Sequence, residues 1–423
     1  MKRTDGLVNQ VDWITVILYG ALVLYGVINI YAAIYDVDST ASFFSFSHNA
    51  GKQLAFIGIA ILVAIVILSM DYKIYDTLSY PIWLLFIIFL VVVMIFAREV
   101  NGAKSWLEIG PFRFQPSEFT KFATALALAK YVSKPNFKIG RLKDIFYVGL
   151  IIGAPTILII AQGDAGTALV FSMFILVLFR EGMSPIPLVL GVASTIIFLL
   201  ALLVQNDFYF WTPVVVLVAL GIYFNRKIVK RMIAIVVVGI ATIGMYHSVG
   251  YAFDNFLKPH QQNRILILLN PNSDPLGAGW NVTQSKIAIG SGGLLGKGYL
   301  NGTQTKFDFV PEQSTDFIFC TIGEEQGWAG SMVLIILFTA LLLRITQIAE
   351  RQKWRFARVY GYSVATILFF HFSVNIGMTI GLFPVIGIPL PFFSYGGSSL
   401  ISFTILVFIL LALDANRMQR LAH

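Results

Sequence analysis

The chain has 423 residues, of which 57% are hydrophobic and 12% are charged, with a formal net charge of +8 and a mean hydropathy of +0.79. The charged share is about half that of a soluble globular domain. These values exclude a cytosolic enzyme, a disordered chain and a fibrous protein, because no soluble core could bury so much apolar surface. The apolar surface that a soluble core could not bury must therefore be solvated by lipid. The single cysteine, Cys320, excludes an intrachain disulfide and is interpreted as a small apolar helix residue.

Apolar runs of roughly 17–25 residues are long enough to cross the hydrocarbon core of a bilayer. The first run is too long for the apolar core of a signal peptide, so we expect it to be a retained helix. The sequence predicts an all-α, polytopic membrane protein with about twelve transmembrane helices. The twelve candidate spans are 12–34, 53–70, 80–97, 116–132, 145–161, 165–179, 185–204, 211–224, 232–251, 316–343, 359–383 and 398–413.

The distribution of basic residues predicts the orientation of these spans. Most of the 30 lysines and arginines lie in the N-terminal segment or in even-numbered loops. Because cytoplasmic loops are enriched in Lys and Arg, both termini are predicted to be cytoplasmic. The chain then forms one membrane domain, 1–423, with a large extracytoplasmic loop at 252–315. The basic excess is assigned to orientation, and no nucleic acid partner is expected.

Common cofactor motifs are missing from the sequence. The stretch 290–298 comes nearest to a phosphate-binding loop, but Ser291 and Gly298 occupy positions that need Gly and Ser or Thr. The five histidines are scattered without metal-ligand spacing, so no histidine-built zinc site is expected.

The large outer loop is polar and rich in glycine. Glycines allow close backbone approach, and exposed backbone amides beside Arg264, Lys286 and Lys297 could hold a pyrophosphate. The alternative is an ordinary system of turns that covers the outer ends of the helices.

Two sets of charged residues lie where chemistry at the membrane is plausible. Asp316 stands at the junction of the loop and an apolar helix, either as a first-turn acid that favours the helix dipole or as a general base. Glu118 and Lys121 share one face of the fourth span, where they either pair with each other or face a substrate path.

Several ordered motifs together resemble the SEDS family (shape, elongation, division, sporulation), over roughly residues 12–415. The stretch Gly298–Gln304 resembles the rod-shape branch of the family more than the division branch. The motifs that carry the resemblance are Gln115–Phe119, Asp274–Gly279, Thr283–Gly290, Pro311–Phe317, Val374–Met378 and Pro389–Ser398.

The resemblance implies a peptidoglycan glycosyltransferase of the bacterial cytoplasmic (inner) membrane. Such enzymes polymerise lipid II into β-1,4 glycan strands at the outer membrane face during cell elongation. The implied partners are a class B penicillin-binding protein, which is a transpeptidase, together with lipid II, membrane lipid and other proteins of the elongation complex. The partner's helix is expected on spans 316–343 and 359–383, at a patch of small residues comprising Gly327, Ala329, Gly330 and Ser331.

The resemblance also implies roles for individual residues. Asp316 matches the family's catalytic aspartate, and Trp106 matches the tryptophan of its first extracellular motif. Glu118 and Lys121 match the polar pair of its fourth helix, and Ser398 matches the serine of its late Tyr-Gly-Gly-Ser motif.

The chemistry of the implied reaction suggests which groups must be present. Forming a β-linkage from an α-linked pyrophosphate requires in-line attack, a base for the acceptor hydroxyl and cations for the leaving group. No single cation is preferred, and a divalent ion such as Mg²⁺ or Mn²⁺ is a further candidate. The candidate cationic side chains are Lys104, Arg113, Lys121, Arg264, Lys286 and Lys297.

Two departures from the family pattern are visible. Gly163 stands where the family usually has Pro, and residues 185–251 supply an extra helix pair, since family members usually have about ten spans. Two alternative functions stay open at this point, a lipid II flippase or other transporter, and a non-catalytic scaffold of the elongation complex.

Overall fold

A computed structural model describes residues 10–35, 48–97, 99, 102–109, 112–204, 206–256, 262, 264–267, 278–307 and 309–417. The chain divides into two compact units, which are described separately. The main unit comprises Met1–Met183 and Pro275–His423, and the second unit comprises Ser184–Asp274. A single domain over 1–423 stays a prediction.

Among the described residues of the main unit, the secondary structure is helical except for one short hairpin. The hairpin pairs β1 (Leu107–Ile109) with β2 (Phe112–Phe114) in antiparallel register. The helices of the first half are α1 Trp13–Ile34, α2 Asn49–Ser69, α3 Tyr72–Thr77, α4 Ser79–Phe96, α5 Pro116–Val132, α6 Leu142–Ala161, α7 Ala165–Val170 and α8 Phe174–Arg180. A single 3-10 turn, Phe171–Met173, separates α7 from α8.

Three long helices are described in the second unit, and residues 264–267 of that unit are also helical. The second unit holds α9 Ile186–Leu203, α10 Asp207–Phe224 and α11 Val229–Phe256. The remaining helices are α12 Ala278–Ser291, α13 Ile318–Glu325, α14 Gly327–Glu350, α15 Arg355–Thr379 and α16 Gly397–Ala415.

The centre of the main unit is formed by α5, α15 and α16. Helix α5 packs against α4, α15 and α16, and α16 also packs against α2. The alternating alanines at positions 123, 125, 127 and 129 of α5 are buried, and small residues allow neighbouring helices to approach closely. The outer helices keep apolar side chains exposed, as expected where lipid is the solvent.

The predicted all-α, polytopic membrane architecture is confirmed. Each of the twelve predicted spans contains a helix. Nine helices within the described ranges are long and apolar enough to cross a membrane, judged by length and composition alone. The three exceptions are Pro116–Val132, which has 17 residues, and the shorter apolar segments Ala165–Arg180 and Ile186–Ala201.

The predicted span 316–343 is interrupted, which the apolar pattern did not indicate. Helix α13 ends at Glu325, and Gly327 adopts a positive φ of 62° before α14 continues. A Cβ at Gly327 would overlap the backbone nitrogen of Gly296, so a turn of the outer loop occupies the break. Helix α12 lies within the outer loop.

The prediction of a lipid-facing patch of small residues at Gly330 is wrong. Gly327, Gly330 and Ser331 are buried within the chain. A Cβ at Gly330 would overlap Gln326 and lie 3.2 Å from the hydroxyl of Tyr25 on α1. The small residues therefore let α14 pack against α1, while large apolar side chains cover the outward face of α14.

Candidate functional site

Asp316 lies in a tight turn that leads into α13. Glu312 has a positive φ of 58°, and its carbonyl accepts hydrogen bonds from the backbone amides of Thr315 and Phe317. Helix α13 begins at Ile318 with Phe317 as its N-cap. Asp316 therefore precedes the cap residue, so the alternative that placed it in the first turn of the helix is wrong. Its side chain is half-buried, whereas Phe317 is buried.

The backbone beside this carboxylate is fixed by α15. The side-chain amide of Asn375 donates one hydrogen bond to the carbonyl of Asp316, at 2.9 Å, and another to the carbonyl of Ile388, at 2.8 Å. Asn375 is fully buried. Its two donors thus join the Asp316 turn to the segment 380–396, which connects α15 and α16.

That segment approaches the carboxylate through a glycine. Gly387 has a φ of 68°, a conformation that favours glycine. A Cβ added there would lie 3.3 Å from Oδ2 of Asp316. The glycine at residue 387 therefore lets the backbone of this segment approach the carboxylate without a side chain between them.

Helix α12 brings a lysine to the same segment. The hydroxyl of Ser285 donates to the carbonyl of Thr379 at 2.9 Å. A Cβ at Gly381 would lie 3.8 Å from the ammonium nitrogen of the exposed Lys286. A small apolar cluster including Val282, Phe317 and Val385 joins α12, the Asp316 turn and this segment.

The second predicted pair, Glu118 and Lys121, is buried near the N-terminal end of α5. Their side chains are 2% and 1% exposed and pair at 2.9 Å, which confirms that the two residues share one face of α5. The ammonium nitrogen of Lys121 also lies 2.9 Å from Nε2 of His371, and Nδ1 of His371 lies 3.1 Å from the carbonyl of Pro389. Because an ammonium group only donates, Nε2 must accept, and Nδ1 carries the proton donated to Pro389.

The hairpin β1–β2 contacts the start of α16. The hydroxyl of Ser398 donates to the carbonyl of Arg113 at 3.1 Å and accepts from the amide of Gln115 at 3.3 Å. The guanidinium of Arg113 pairs with Glu108 across the hairpin at 3.3 Å, and both side chains are exposed. Ser398 is thus a positioning contact for the hairpin strand.

The remaining predicted residues of the first outer loop lie before this hairpin. The backbone amide of Lys104 donates to the carbonyl of Gln162 at 2.8 Å, and its side chain is exposed. Trp106 is half-buried. In the neighbouring turn, which contains Gly163, the side chain of Asp164 accepts hydrogen bonds from the amide and the hydroxyl of Thr167 and caps α7.

Lys297 already has a carboxylate partner. Its ammonium group donates to Glu324 and to the hydroxyl of Thr303, both at 2.7 Å. The buried carboxylate of Glu324 also accepts from the backbone amides of Thr303, Gln304 and Thr305. This set of bonds holds a turn of the outer loop, so Lys297 is less available to a ligand than Lys286.

The structure groups some of the predicted residues and separates others. The Asp316 turn and α12, which carries Lys286, both lie against the segment 380–388. Arg113 and Ser398 also lie together, because the carbonyl of Arg113 accepts a hydrogen bond from Ser398. Arg264 belongs to the second unit and is half-buried there.

No group of three or more His, Cys, Asp or Glu side chains among the described residues could hold a metal ion. A divalent cation stays a prediction, since Mg²⁺ is commonly held by one or two carboxylates together with substrate phosphates.

His371, Asn375 and Gly387 are site residues that were not predicted from the sequence. Asn375 lies in a quoted motif, and His371 lies one helical turn before it on the same face of α15. Two polar residues at this spacing within an apolar helix are the sequence pattern that could have indicated a role for His371 and Asn375. No local sequence pattern predicts that Gly387 lies close to Asp316, because the two residues are distant in sequence.

Comparison with known proteins places this arrangement in a family. A model named for FtsW, RodA and SpoVE, described as a cell cycle protein, matches residues 12–209 and 186–419. The two matches overlap at 186–209, at the start of the predicted extra helix pair.

Two relatives are named as peptidoglycan glycosyltransferases. RodA of Treponema pallidum is 34% identical over 441 residues, covering 97% of this chain and 99% of that protein. MrdB of Escherichia coli K12 is 34% identical over 351 residues, covering 83% of this chain and 81% of that protein.

Solved structures agree in fold. A chain from a peptidoglycan synthase complex, studied for structural coordination of polymerization and crosslinking, has a TM-score of 0.70 at 26% identity and covers 97% of this chain and 99% of that chain. A variant of the rod-shape-determining protein RodA of Thermus thermophilus has a TM-score of 0.63 at 25% identity, covering 96% and 98%. The chain belongs to the SEDS family of cell cycle proteins, whose matching model is named for FtsW, RodA and SpoVE.

Proposed function

We propose that this chain is a peptidoglycan glycosyltransferase that polymerises lipid II into β-1,4 glycan strands. The observation that carries the proposal is the Asp316 turn, where Asn375 holds the backbone carbonyl of Asp316 and the glycine at 387 lets the segment 380–396 approach its half-buried carboxylate. The names of the relatives support the reaction class.

In the proposed reaction, Asp316 acts as the general base. Its carboxylate takes the proton of the acceptor's GlcNAc 4-hydroxyl as that oxygen bonds to the anomeric carbon of the donor. The bond from that carbon to the pyrophosphate breaks, and undecaprenyl pyrophosphate leaves with the electron pair. Attack opposite to the leaving group converts an α-linkage into a β-linkage.

Lys286 is the cation we assign to the leaving pyrophosphate. Its ammonium group is exposed, and it borders the same segment that borders Asp316. A fixed positive charge near the site of developing negative charge stabilises the transition state. Lys297 and Lys121 are weaker candidates, because both pair with carboxylates of the chain.

The family's site residues have distinct proposed roles. Trp106, Lys104 and Arg113 lie on the outer loop before α5 and would contact the sugar or phosphate of the substrate. Glu118, Lys121 and Ser398 hold helices and the hairpin in place through the contacts described above.

The proposed setting is the bacterial cytoplasmic membrane, with the Asp316 turn on its outer side. The partner we propose is a class B penicillin-binding protein, whose crosslinking would follow polymerisation. The similar chain from a peptidoglycan synthase complex supports such a partnership. The exposed apolar face of α14, which includes Trp328 and Ile336, is the proposed contact.

Purified protein given labelled lipid II tests the function, with and without the partner. Glycan ladders on a gel are expected, and they should grow stronger with the partner present. A parallel vesicle assay follows lipid II from the inner to the outer leaflet. Translocation without ladders would identify a transporter, and neither activity under any condition would support a scaffold.

A further inference from the structure

The turn between α10 and α11 carries a dense group of cations. Four of its residues are basic, and all four side chains are exposed. We call residues 225–231 the basic turn. Its cations are Arg226, Lys227, Lys230 and Arg231.

Among the residues of the second unit that the structure describes, these cations have no acidic neighbour. The sequence contains no Asp or Glu between Asp207 and Asp254. Asp207 begins α10, so it lies roughly 25–30 Å along the helix from the basic turn, and it accepts a hydrogen bond from Tyr246. The exposed cations of the turn can therefore bind an anion that does not belong to this unit.

Basic residues of the main unit show a different pattern. Many of them, at the ends of helices on the predicted cytoplasmic side, pair with a carboxylate of the chain. These pairs are Lys130–Asp76, Arg180–Glu350, Arg344–Asp12, Arg351–Asp414, Arg355–Glu181, Arg358–Glu181 and Arg417–Asp414. Orientation in the membrane does not require unpaired charges in the folded protein. The exposed cations of the basic turn therefore need another explanation.

Helix stability does not explain the cations either. Arg226 and Lys227 follow the C-terminus of α10, where positive charge is favourable. Lys230 and Arg231 lie in the first turn of α11, which holds no acidic residue and where positive charge is unfavourable. Two of the four charges thus oppose the local dipole.

The helices α10 and α11, which the turn connects, form a close-packed hairpin. A Cβ at Gly221 would lie 3.1 Å from Ile235, and one at Gly239 would overlap Val218. The guanidinium of Arg226 lies 5.3 Å from the ring centre of the exposed Tyr223. Tyrosines are common at the level of lipid headgroups, so this ring and its cation fit that depth.

We propose that the basic turn binds the headgroups of anionic phospholipids and gathers them around the second unit. Each cation near an anionic surface strengthens such binding by roughly fivefold at moderate salt. The binding is non-covalent and does not depend on the chemistry proposed for Asp316. It gives the extra helix pair a lipid-binding role.

Fluorescence quenching in vesicles tests this proposal. A Cys320→Ala background carrying Ile228→Cys allows one fluorophore to be placed in the turn. The labelled protein is reconstituted in two kinds of phosphatidylcholine vesicle. One contains roughly 10% nitroxide-labelled phosphatidylglycerol and the other roughly 10% nitroxide-labelled phosphatidylcholine, and each quencher is present in both leaflets. In 50 mM NaCl, we expect nitroxide-labelled phosphatidylglycerol to quench the fluorophore at least about threefold more strongly than nitroxide-labelled phosphatidylcholine does. At 1 M NaCl, where the Debye length is about 3 Å, we expect the two lipids to quench almost equally.

A fourfold Gln variant at Arg226, Lys227, Lys230 and Arg231 should abolish the preference for the anionic quencher. Gln at Lys134, Lys138, Arg141 and Lys143 removes the same charge from another exposed loop and should preserve the preference. Equal quenching by both lipids in the unmodified turn would overturn the proposal. Loss of preference on adding inorganic phosphate at constant ionic strength would also overturn it, by assigning the turn to free phosphate.

Discussion

The side-chain amide of Asn375 donates to the backbone carbonyl of Asp316 at 2.9 Å, so a buried residue of α15 fixes the turn that carries the proposed base. Its second donor holds the carbonyl of Ile388 at 2.8 Å. Asn375 is therefore a positioning residue. It acts on the carboxylate through the backbone and through the segment that contains Gly387.

Replacing Asn375 with Ala should lower kcat for lipid II polymerisation by roughly 10–100-fold, because misplacement of a reacting group by about 1 Å has effects of this size. Ser363→Ala is the matched control, since Ser363 is also buried on α15 but bonds only within its own helix. Both variants are compared by melting temperature and by kcat and KM. A similar kcat for the two variants at equal stability would show that Asn375 has no positioning role.

Gly387→Ala should reduce activity for two reasons. The residue has a φ of 68°, which strains any side chain, and the new Cβ would lie 3.3 Å from the carboxylate of Asp316. Gly293→Ala provides a control with similar strain, because Gly293 has a φ of 58° and open space around its Cβ position. Steady-state polymerisation should fall more in the first variant than in the second. Equal losses would mean that backbone strain alone accounts for the effect.

His371 should tolerate Gln better than Leu. Its ring accepts from Lys121 and donates to the carbonyl of Pro389, and Gln offers one acceptor and donors of its own. Leu leaves a buried ammonium donor and a carbonyl without this partner, which is strongly destabilising. Melting temperatures in detergent should fall in the order wild type, His371→Gln, His371→Leu. Equal stability of the two variants would contradict the assigned hydrogen bonds.

Partner binding should respond to the outward face of α14. Trp328 and Ile336 are 61% and 59% exposed, whereas Gly330 is buried against Gln326 and Tyr25. Trp328→Ala with Ile336→Ala should weaken co-purification with the penicillin-binding protein while leaving the melting temperature unchanged. Leu62→Ala, on the exposed face of α2, is the control. Gly330→Trp should instead destabilise the chain itself, and full stability of that variant would contradict the packing described here.

The sequence was sufficient for the membrane-spanning segments, but it did not predict α3, α12 or the contacts between helices. Long apolar runs predicted all twelve helical segments, because helical hydrogen bonding in lipid depends on local sequence. The break at Gly327 and the inward direction of Gly330 depend on residues 296 and 25, which are distant in sequence. Family motifs indicated Asp316, but the hydrogen bond from Asn375 required the three-dimensional arrangement.

Polymerisation of lipid II by purified Asp316→Asn protein tests the central claim most directly. Asn is nearly isosteric but cannot take the hydroxyl proton, so the rate should fall by roughly 10²–10⁴-fold while melting temperature and partner binding are retained. Asp316→Glu keeps the charge but displaces it and should also be mostly inactive. Glu350→Gln makes the same kind of charge change at an exposed carboxylate paired with Arg180 and should leave the rate unchanged. Near-normal glycan ladders from well-folded Asp316→Asn protein would contradict the account.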